Sequence, residues 1–162
     1  MIEILVGMIA SGKSTFSKDR AVEGWLVLND DAIVNLLHAN FYPLYQERLK
    51  PLYKSIENTI VQNSILMSEK LVIDRGLNIT KKSRKRFISI AKSMDCPVRA
   101  IVFPKEKPDI HAERRFSHDP RGHSLEYWLE VASHHSNIYE DPTLEEGFDE
   151  IIVIDYYIEK RG

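Results

Sequence analysis

Short apolar runs alternate with longer segments of mixed polarity along the chain. Runs rich in Val, Ile and Leu are typical of strands that are buried in a parallel sheet. They occupy residues 2–6, 25–28, 71–74, 98–103 and 150–155. Because helical segments separate these runs, the sequence predicts an α/β fold, a doubly wound parallel five-stranded sheet flanked by helices. A ligand site is expected at the carboxyl ends of such strands.

Helical patterns cover most of the remaining chain. They predict a helix that begins at Ser14 and helices over residues 31–39, 45–69, 80–94, 108–115 and 124–139. Residues 141–147 predict a single turn in which Thr143 is the N-cap, Glu146 completes a capping box and Gly147 ends the turn. No Gly/Ser-rich linker divides the sequence, so we expect one domain over residues 1–162.

Composition and charge indicate where the protein acts and which kinds of partner it can bind. The formal net charge of −2 argues against wholesale binding of a polyanion, so any nucleic-acid contact is expected to be local. Cys96 is the only cysteine, which argues against a disulfide framework and favours a reducing cytoplasm. We expect neither secretion nor a membrane span, because the sequence has no basic segment before an apolar N-terminal stretch and no apolar run of about 18 residues.

The stretch from Gly7 to Ser14 fits the phosphate-binding pattern G-x-x-x-x-G-K-[ST] at every fixed position. It follows a predicted strand and opens a predicted helix, which is the context the motif requires. Lys13 is expected to reach the β- and γ-phosphates of ATP, and the Ser14 hydroxyl is expected to bind Mg²⁺. The candidate ATP-binding residues of this loop are Gly7, Ala10, Ser11, Gly12, Lys13, Ser14 and Thr15.

Carboxylates follow the second and third predicted strands. Asp30 is the candidate general base, because a hydroxyl acceptor must lose its proton as the γ-phosphoryl group moves. Asp31 looks more like a helix cap, and capping by both residues is the alternative for this pair. Asp74 ends the third strand like a Walker B acid and is the candidate second Mg²⁺ ligand, although a plain strand-end acid is nearly as common.

The predicted helix after Asp74 begins with a basic turn and a half. A solvated face is the usual explanation of such a run. The alternative is that its first turn borders the acceptor and meets substrate phosphates, which need only a few local cations. The candidate acceptor-binding residues are Asp30, Asn78, Lys81, Lys82, Arg84 and Lys85.

A charged helix end runs into a Pro- and Gly-punctuated loop over about residues 114–124, and this segment is predicted to be a lid. Phosphoryl transfer needs cations over the equatorial oxygens, and Arg114, Arg115 and Arg121 are the candidates, with Arg115 as the catalytic one. Several histidines lie nearby, but they lack the spacing of zinc ligands, so a zinc site is not expected.

Together these stretches resemble the kinase domain of the polynucleotide 5′-kinase/3′-phosphatase family, within the wider group of small P-loop kinases. The resemblance rests on residues 6–16, 27–31, 72–74 with Asn78, 83–84, 98–103, 115–116 and 142–148. It implies the strand order 2-3-1-4-5, Asp30 as the general base, Lys13 and Ser14 as ligands of ATP and Mg²⁺, and a lid arginine near position 115. The chain departs from the family at Ile33, where some members carry an acceptor-binding arginine, in the spacing between Asp74 and Asn78, and in the spacing of the lid arginines.

The sequence therefore predicts an ATP- and Mg²⁺-dependent kinase that transfers the γ-phosphoryl group to the 5′-OH of DNA or RNA. One alternative is a kinase for a small hydroxyl compound, such as a nucleoside or sugar, or for a hydroxylated base within nucleic acid. Another is a nucleotide-dependent switch or ATPase without an acceptor. A GTPase switch is disfavoured because no Asn-Lys-x-Asp guanine motif occurs.

Overall fold

A parallel sheet of five strands forms the centre of the protein, which a computed structural model describes over residues 1–119 and 121–154. The strands are β1 (Ile2–Val6), β2 (Leu26–Asn29), β3 (Leu71–Asp74), β4 (Val98–Val102) and β5 (Glu150–Val153). Their order across the sheet is β2-β3-β1-β4-β5, and every pair is parallel. The expected fold class and strand order are therefore confirmed. Position 155, which was expected to end the last strand, lies outside the described residues.

Helices connect successive strands and cover both faces of the sheet. They are α1 (Lys13–Val22), α2 (Asp30–Leu37), α3 (Lys50–Leu66), α4 (Lys81–Ser93), α5 (Pro108–Phe116) and α6 (Leu125–Ile138). Short 3₁₀ turns lie at Tyr42–Leu44, Glu47–Leu49, Gly76–Ile79 and Leu144–Glu146.

The long helix predicted over residues 45–69 begins later than expected. Its α-helical part starts at Lys50, and Pro51 lies in the first turn. A proline ring clashes with the carbonyl four residues earlier and offers no N–H, so the helix cannot extend back through Pro51. Residues 47–49 form a 3₁₀ turn instead. The irregular segment between α2 and α3 is therefore longer than the sequence suggested.

The core is divided between the two faces of the sheet because neighbouring residues of a strand point to opposite sides. On one face Ile4 packs in a cluster with Ile73 of β3 and Phe87 of α4. On the other face Leu5 packs with Phe16 of α1 and with Phe103. All five residues of β1 are buried, as expected for the middle strand of a doubly covered sheet.

Side-chain caps fix where the helices begin at the carboxyl edge of the sheet. Asn29 caps α2, since its side chain accepts a hydrogen bond of 3.1 Å from the Ala32 N–H. The expectation that Asp31 caps this helix is therefore wrong, because the cap lies two residues earlier and Asp31 is within the first turn. Thr80 caps α4 through a 3.2 Å bond from the Ser83 N–H.

The single turn predicted within residues 141–147 is confirmed, and it occupies Leu144–Glu146. The Thr143 N–H donates a hydrogen bond of 3.0 Å to the Glu146 carboxylate, which is half of a capping box. Gly147 ends the turn with φ of 105°, in the left-handed region that glycine adopts without strain. The turn leads into β5.

Candidate active site

The phosphate-binding loop joins β1 to α1, and its two fixed glycines are required by its geometry. A side chain at Gly7 would meet the Ser11 Oγ at 2.6 Å and the Phe103 Cβ at 2.8 Å. Gly12 has φ of 102°, which disfavours any other residue. The loop is therefore closely wound, and glycine is needed at both positions where the motif has it.

Lys13 lies inside this loop. Its Nζ donates hydrogen bonds to the backbone oxygens of Gly7 at 2.8 Å and Met8 at 2.6 Å. Burial lowers the pKa of Lys13 to about 8, against the opposing charges of Asp74 and Asp30. The side chain is therefore mainly cationic at neutral pH, and its charge acts in surroundings that screen it poorly.

A cavity of about 420 Å³, here called the P-loop pocket, opens beside Lys13. It is lined by Ala10, Ser11, Gly12, Lys13, Ser14, Thr15, Lys18, Arg114, Arg115 and His118. The structure thus brings two of the three candidate lid arginines to the phosphate-binding loop. The Arg115 guanidinium also lies 4.9 Å from the ring centre of Trp128, so an aromatic ring on α6 supports it.

Arg121, the third candidate, does not line the P-loop pocket. Its Nη2 lies 3.3 Å from an Asp31 carboxylate oxygen, and its guanidinium lies 4.4 Å from the ring centre of Tyr42. Its assignment to the ATP-binding residues is therefore corrected. Arg121 lies beside the first turn of α2.

Asp119 explains why the two ends of the lid diverge. Its carboxylate accepts hydrogen bonds from the N–H groups of Arg121 at 2.8 Å and His123 at 2.7 Å, and from Trp128 Nε1 at 3.0 Å. Burial alone would raise the pKa of Asp119, but these donors and the His123 ring together hold it well below its usual range. Asp119 therefore folds the loop back on α6. Residue 120 lies outside the described residues, and sequence reasoning did not single out Asp119.

Asp74 lies under the start of α1. Its carboxylate accepts a hydrogen bond of 3.1 Å from the Ser17 hydroxyl, one turn along the helix from Ser14. Ser14 is exposed and Asp74 is buried. A hydroxyl and a carboxylate are oxygen donors of the kind that Mg²⁺ takes together with substrate phosphates, so the donor set fits that ion. Within residues 1–119 and 121–154, no cluster of three His, Cys, Asp or Glu residues could hold a metal ion without a substrate.

Asp30 lines a second cavity, of about 450 Å³, which shares no described lining residue with the P-loop pocket. Burial raises the pKa of Asp30 to about 6, against the lowering effect of the Arg75 charge. The Arg75 Nε lies 3.4 Å from the Asp30 Oδ2. A carboxylate whose pKa is close to neutrality is well suited to accept a proton from a hydroxyl group.

Three tyrosines form one wall of this second cavity, here called the tyrosine pocket. The rings of Tyr42 and Tyr45 are 6.2 Å apart at an angle of 11°, and those of Tyr45 and Tyr53 are 5.6 Å apart at 29°. Lys50 and Lys54 of α3 also line the pocket. Aromatic faces beside cations are suited to an organic ring that carries anionic groups.

Two predicted acceptor-binding residues are structural instead. Arg84 is 0% exposed, and it donates two hydrogen bonds to the Glu146 carboxylate, at 2.8 and 2.7 Å. It also donates to the backbone oxygens of Asn78 at 3.0 Å and Glu140 at 2.9 Å. Asn78 is buried too, and its side chain donates to the Ile73 oxygen at 3.1 Å. Their assignment to the acceptor is corrected, because neither side chain reaches the surface.

The exposed lysines of the basic turn line two surfaces, and Lys82 belongs to both. Lys82 lines a groove of about 450 Å³, here called the basic groove, whose lining includes Lys54, Arg75, Leu77 and Thr80. Lys81 and Lys85 line a different cleft with Glu145 and Glu146, and Lys82 borders this cleft as well. Only Lys82 therefore extends the tyrosine pocket, which also contains Lys54, Arg75 and Leu77.

Sequence reasoning missed the residues on the far side of Asp30. Arg75 was not singled out, although it directly follows the strand-end acid Asp74 and so had to lie near the cleft. Glu57 is 2% exposed and belongs to the buried face of α3 together with Tyr53 and Val61, at a spacing of four residues. An acid within an apolar helical stripe is the signal that would have found it.

No helix among the described residues is long and apolar enough to cross a membrane.

Sequence and structure comparisons identify a family and a fold. A family model described as an AAA domain matches residues 2–115. The bifunctional polynucleotide phosphatase/kinase of Schizosaccharomyces pombe is 28% identical over 152 residues, which cover 93% of this chain and 32% of that protein. The chain thus spans about a third of the length of this curated relative. The match supports the wider group of P-loop kinases, and the more specific family remains a prediction.

Solved structures with the same fold are also similar to the chain. A candidate kinase from Chloroflexus aurantiacus has a TM-score of 0.71 at 17% identity, with 98% of this chain and 87% of that chain covered. Shikimate kinase from Bacteroides thetaiotaomicron has a TM-score of 0.57 at 14% identity, with 96% and 87% covered. The predicted P-loop kinase fold is confirmed. The chain belongs to the AAA domain family, and its fold is that of the P-loop kinases.

Proposed function

We propose that this protein is an ATP-dependent polynucleotide 5′-hydroxyl kinase, which transfers the γ-phosphoryl group of ATP to the 5′-OH of DNA or RNA. Support comes from the P-loop pocket and from Asp30, whose charge acts on Lys13 of that pocket. The relative from Schizosaccharomyces pombe is named as a polynucleotide phosphatase/kinase, which favours this acceptor class.

The donor half of the reaction depends on charge placed around the transferred group. The loop N–H groups and the amino end of α1 hold the phosphates, and Lys13 contacts the β- and γ-phosphates. Arg115 lines the same pocket and stabilises charge on the equatorial oxygens. Mg²⁺, bound through Ser14 and Asp74, would neutralise charge on the β- and γ-phosphates.

The acceptor half depends on Asp30. The acceptor oxygen forms a bond to the γ-phosphorus while the bond from that phosphorus to the β,γ-bridging oxygen breaks, and ADP leaves. The hydroxyl proton passes to the Asp30 carboxylate. Because the pKa of Asp30 is raised to about 6, the group is ionised at neutral pH yet remains a stronger base than an ordinary aspartate.

One observation carries the choice of a polymeric acceptor. The tyrosine pocket and the basic groove share Lys54, Arg75 and Leu77. The surface beside Asp30 therefore continues into the basic groove, where Lys82 and Arg86 add positive charge. A nucleic-acid end would place its first base against the tyrosines and its following phosphates along the groove, as single strands do on aromatic and cationic surfaces.

A small-molecule acceptor is the second candidate. The tyrosine pocket, at about 450 Å³, is by itself of the size that holds one small ligand. A nucleoside or sugar would then use Asp30 in the same way and would leave the basic groove unused.

A transfer assay with labelled ATP distinguishes the two. The acceptors would be 5′-OH oligonucleotides of DNA and RNA, nucleosides and sugars, each at several salt concentrations. A polynucleotide kinase should label the oligonucleotides, with a KM that rises with salt because bound cations release counterions from the strand. Brisk labelling of a sugar or nucleoside without any labelling of oligonucleotides would overturn the proposal.

A further inference from the structure

We propose that Arg75 binds the first phosphate on the 3′ side of the acceptor hydroxyl, and that Glu57 holds Arg75 in place until this phosphate arrives. The inference rests on the proposed function and names the group that selects its acceptor. It assigns to Arg75 and Glu57 a role in substrate selection that neither the loop motif nor the carboxylates at the strand ends supply.

Arg75 is placed between the base and the basic groove. Its Nε lies 3.4 Å from the Asp30 Oδ2 and 3.1 Å from the Glu57 Oε1, and its Nη1 donates a hydrogen bond of 3.1 Å to the Ser83 hydroxyl. It is one of the residues shared by the tyrosine pocket and the basic groove. A strand whose 5′-OH lies at Asp30 would therefore have to pass Arg75 first.

The guanidinium is not in a well-satisfied site. Its Nε is buried, yet within residues 1–119 and 121–154 it has no aligned hydrogen-bond partner, although two carboxylates are close. In the strongest pairs of a guanidinium with a carboxylate, two parallel hydrogen bonds join the two groups. The two carboxylates thus attract Arg75 mainly by their charge, without well-aligned hydrogen bonds. A phosphate can accept the two parallel hydrogen bonds that these carboxylates do not.

Glu57 can release Arg75 without becoming an unpaired buried charge. Its carboxylate also pairs with the Arg86 Nη2. Arg86 is itself fixed by hydrogen bonds from its Nη1 to the Asn58 side chain at 3.1 Å and to the Lys54 oxygen at 3.2 Å. Removing the partner of a buried ion is expensive when no other partner remains. Here one arginine can turn toward a substrate while the other keeps Glu57 neutralised.

Phosphate binding at Arg75 would also act on the base. The Arg75 charge lowers the pKa of Asp30, in opposition to burial. A phosphate that pairs with Arg75 would offset this charge, and Asp30 would become a stronger base. At a pH above this raised pKa, where Asp30 is ionised, acceptors that carry the phosphate would therefore gain in turnover as well as in affinity.

The test compares two acceptors that differ only in this phosphate, a nucleoside 3′-phosphate and the corresponding nucleoside. We expect the wild-type kcat/KM to favour the phosphorylated acceptor by about 10- to 100-fold, the range that charge-assisted hydrogen bonds give. In Arg75→Gln, which keeps a polar side chain without the charge, this preference should fall to within about threefold of unity. Arg75→Lys keeps the charge balance beside Asp30 and Glu57 and should show an intermediate preference, so it serves if the glutamine variant folds poorly.

Arg86→Gln tests the role of Glu57. Arg86 also pairs with Glu57, so its loss would leave Arg75 as the remaining cation beside that buried carboxylate. Arg75 should then be released less readily, and the preference for the phosphorylated acceptor should fall although Arg75 is unchanged.

Arg99→Gln is the matched control. Arg99 shares the buried Glu3 carboxylate with Arg20, as Arg75 shares Glu57 with Arg86. Arg99 lines neither the tyrosine pocket nor the basic groove, so its loss should lower thermal stability and leave the preference between the two acceptors unchanged.

The possible failures are distinguishable. If Arg75→Gln lowers kcat equally for both acceptors and keeps their ratio, Arg75 only positions Asp30, and the inference is overturned. If the wild-type protein labels oligonucleotides but does not discriminate between the two small acceptors, the inference fails while the polynucleotide kinase stands. If it labels no nucleic-acid acceptor, the proposed function fails, and this inference fails with it.

Discussion

Asn29 and Asp74 lie opposite each other at the carboxyl ends of β2 and β3, and the Asn29 side chain donates a hydrogen bond of 3.2 Å to the Asp74 backbone oxygen. The same Asn29 side chain caps α2, so it fixes the direction in which Asp30 leaves the sheet. One residue thus positions the candidate base relative to the candidate metal ligand.

Lys13→Ala should abolish transfer without unfolding the protein. Lys13 is the loop side chain placed to carry positive charge to the β- and γ-phosphates, so its loss should cost at least about 10³-fold in kcat/KM. Activity would be measured with the best acceptor, and folding by circular dichroism and thermal melting. Near-normal turnover of a folded variant would show that phosphoryl transfer does not use this loop.

Asp30→Asn should lower kcat by about 10²- to 10⁴-fold while ATP binding is retained, because the amide cannot accept the proton. In the wild-type protein the rate should rise with pH through about 6, since the base works only when ionised and burial raises its pKa to about 6. This limb should be missing in the variant. Asp31→Asn is the control, and a larger loss there would identify Asp31 as the base.

The same substitution should stabilise the folded protein at neutral pH. The folded pKa of Asp30 is raised from 3.8 to about 6, so its contribution to stability is fully present below the unfolded pKa and is lost as pH rises through the folded one. The amide of the Asp30→Asn variant does not ionise, so the variant would carry no such loss. After allowance for a side chain that is 33% exposed, we expect a gain of about 1 kcal/mol at pH 7.5.

Urea denaturation of both proteins at several pH values would measure this difference in the free energy of unfolding. The gain should shrink as pH falls from about 6 toward 4. A variant that is less stable than the wild-type protein at pH 7.5 would show that Asp30 is held by favourable contacts and is not strained by burial.

Arg121→Ala should raise KM for the acceptor and leave KM for ATP nearly unchanged, because Arg121 lies over Tyr42 and beside Asp31. Arg115→Ala should do the opposite and chiefly lower kcat and ATP affinity, since Arg115 lines the P-loop pocket. Steady-state kinetics with each substrate varied in turn would measure both. If Arg121→Ala behaves like Arg115→Ala, the lid closes further over ATP than the structure shows.

Local patterns predicted the sheet, the loop and the strand-end acids because these depend on residues that are near one another in sequence. The phosphate-binding loop needs only Gly7, Gly12, Lys13 and Ser14 in order, and β3 shows its acid at its last position. The failures come from long-range contacts. Arg84 looked like one of several surface cations, and only the distant Glu146 and Glu140 make it a buried anchor.

The acceptor side of the site was harder to predict for the same reason. Glu57, Arg75 and Arg86 form one network although they belong to two helices and the end of a strand. The column of Tyr42, Tyr45 and Tyr53 depends on the irregular segment before α3. The helical pattern did not resolve where this segment ends, because Pro51 makes α3 begin later than periodicity suggests. No pattern with a period of two or 3.6 residues encodes such a column.

If the proposed function holds, the contacts that Asp119 makes in the predicted lid would let the protein respond to both substrates together. Arg115 lies before this carboxylate and reaches the ATP side, while Arg121 lies after it and reaches the side of Asp31 and Tyr42. Asp119 accepts a hydrogen bond from the Arg121 N–H and from the ring of Trp128, over which Arg115 lies. Both arginines therefore depend on its position, and we expect the loop to be most ordered when both substrates are bound. ATP alone would engage only half of the lid, and this would limit the futile loss of its γ-phosphoryl group to water.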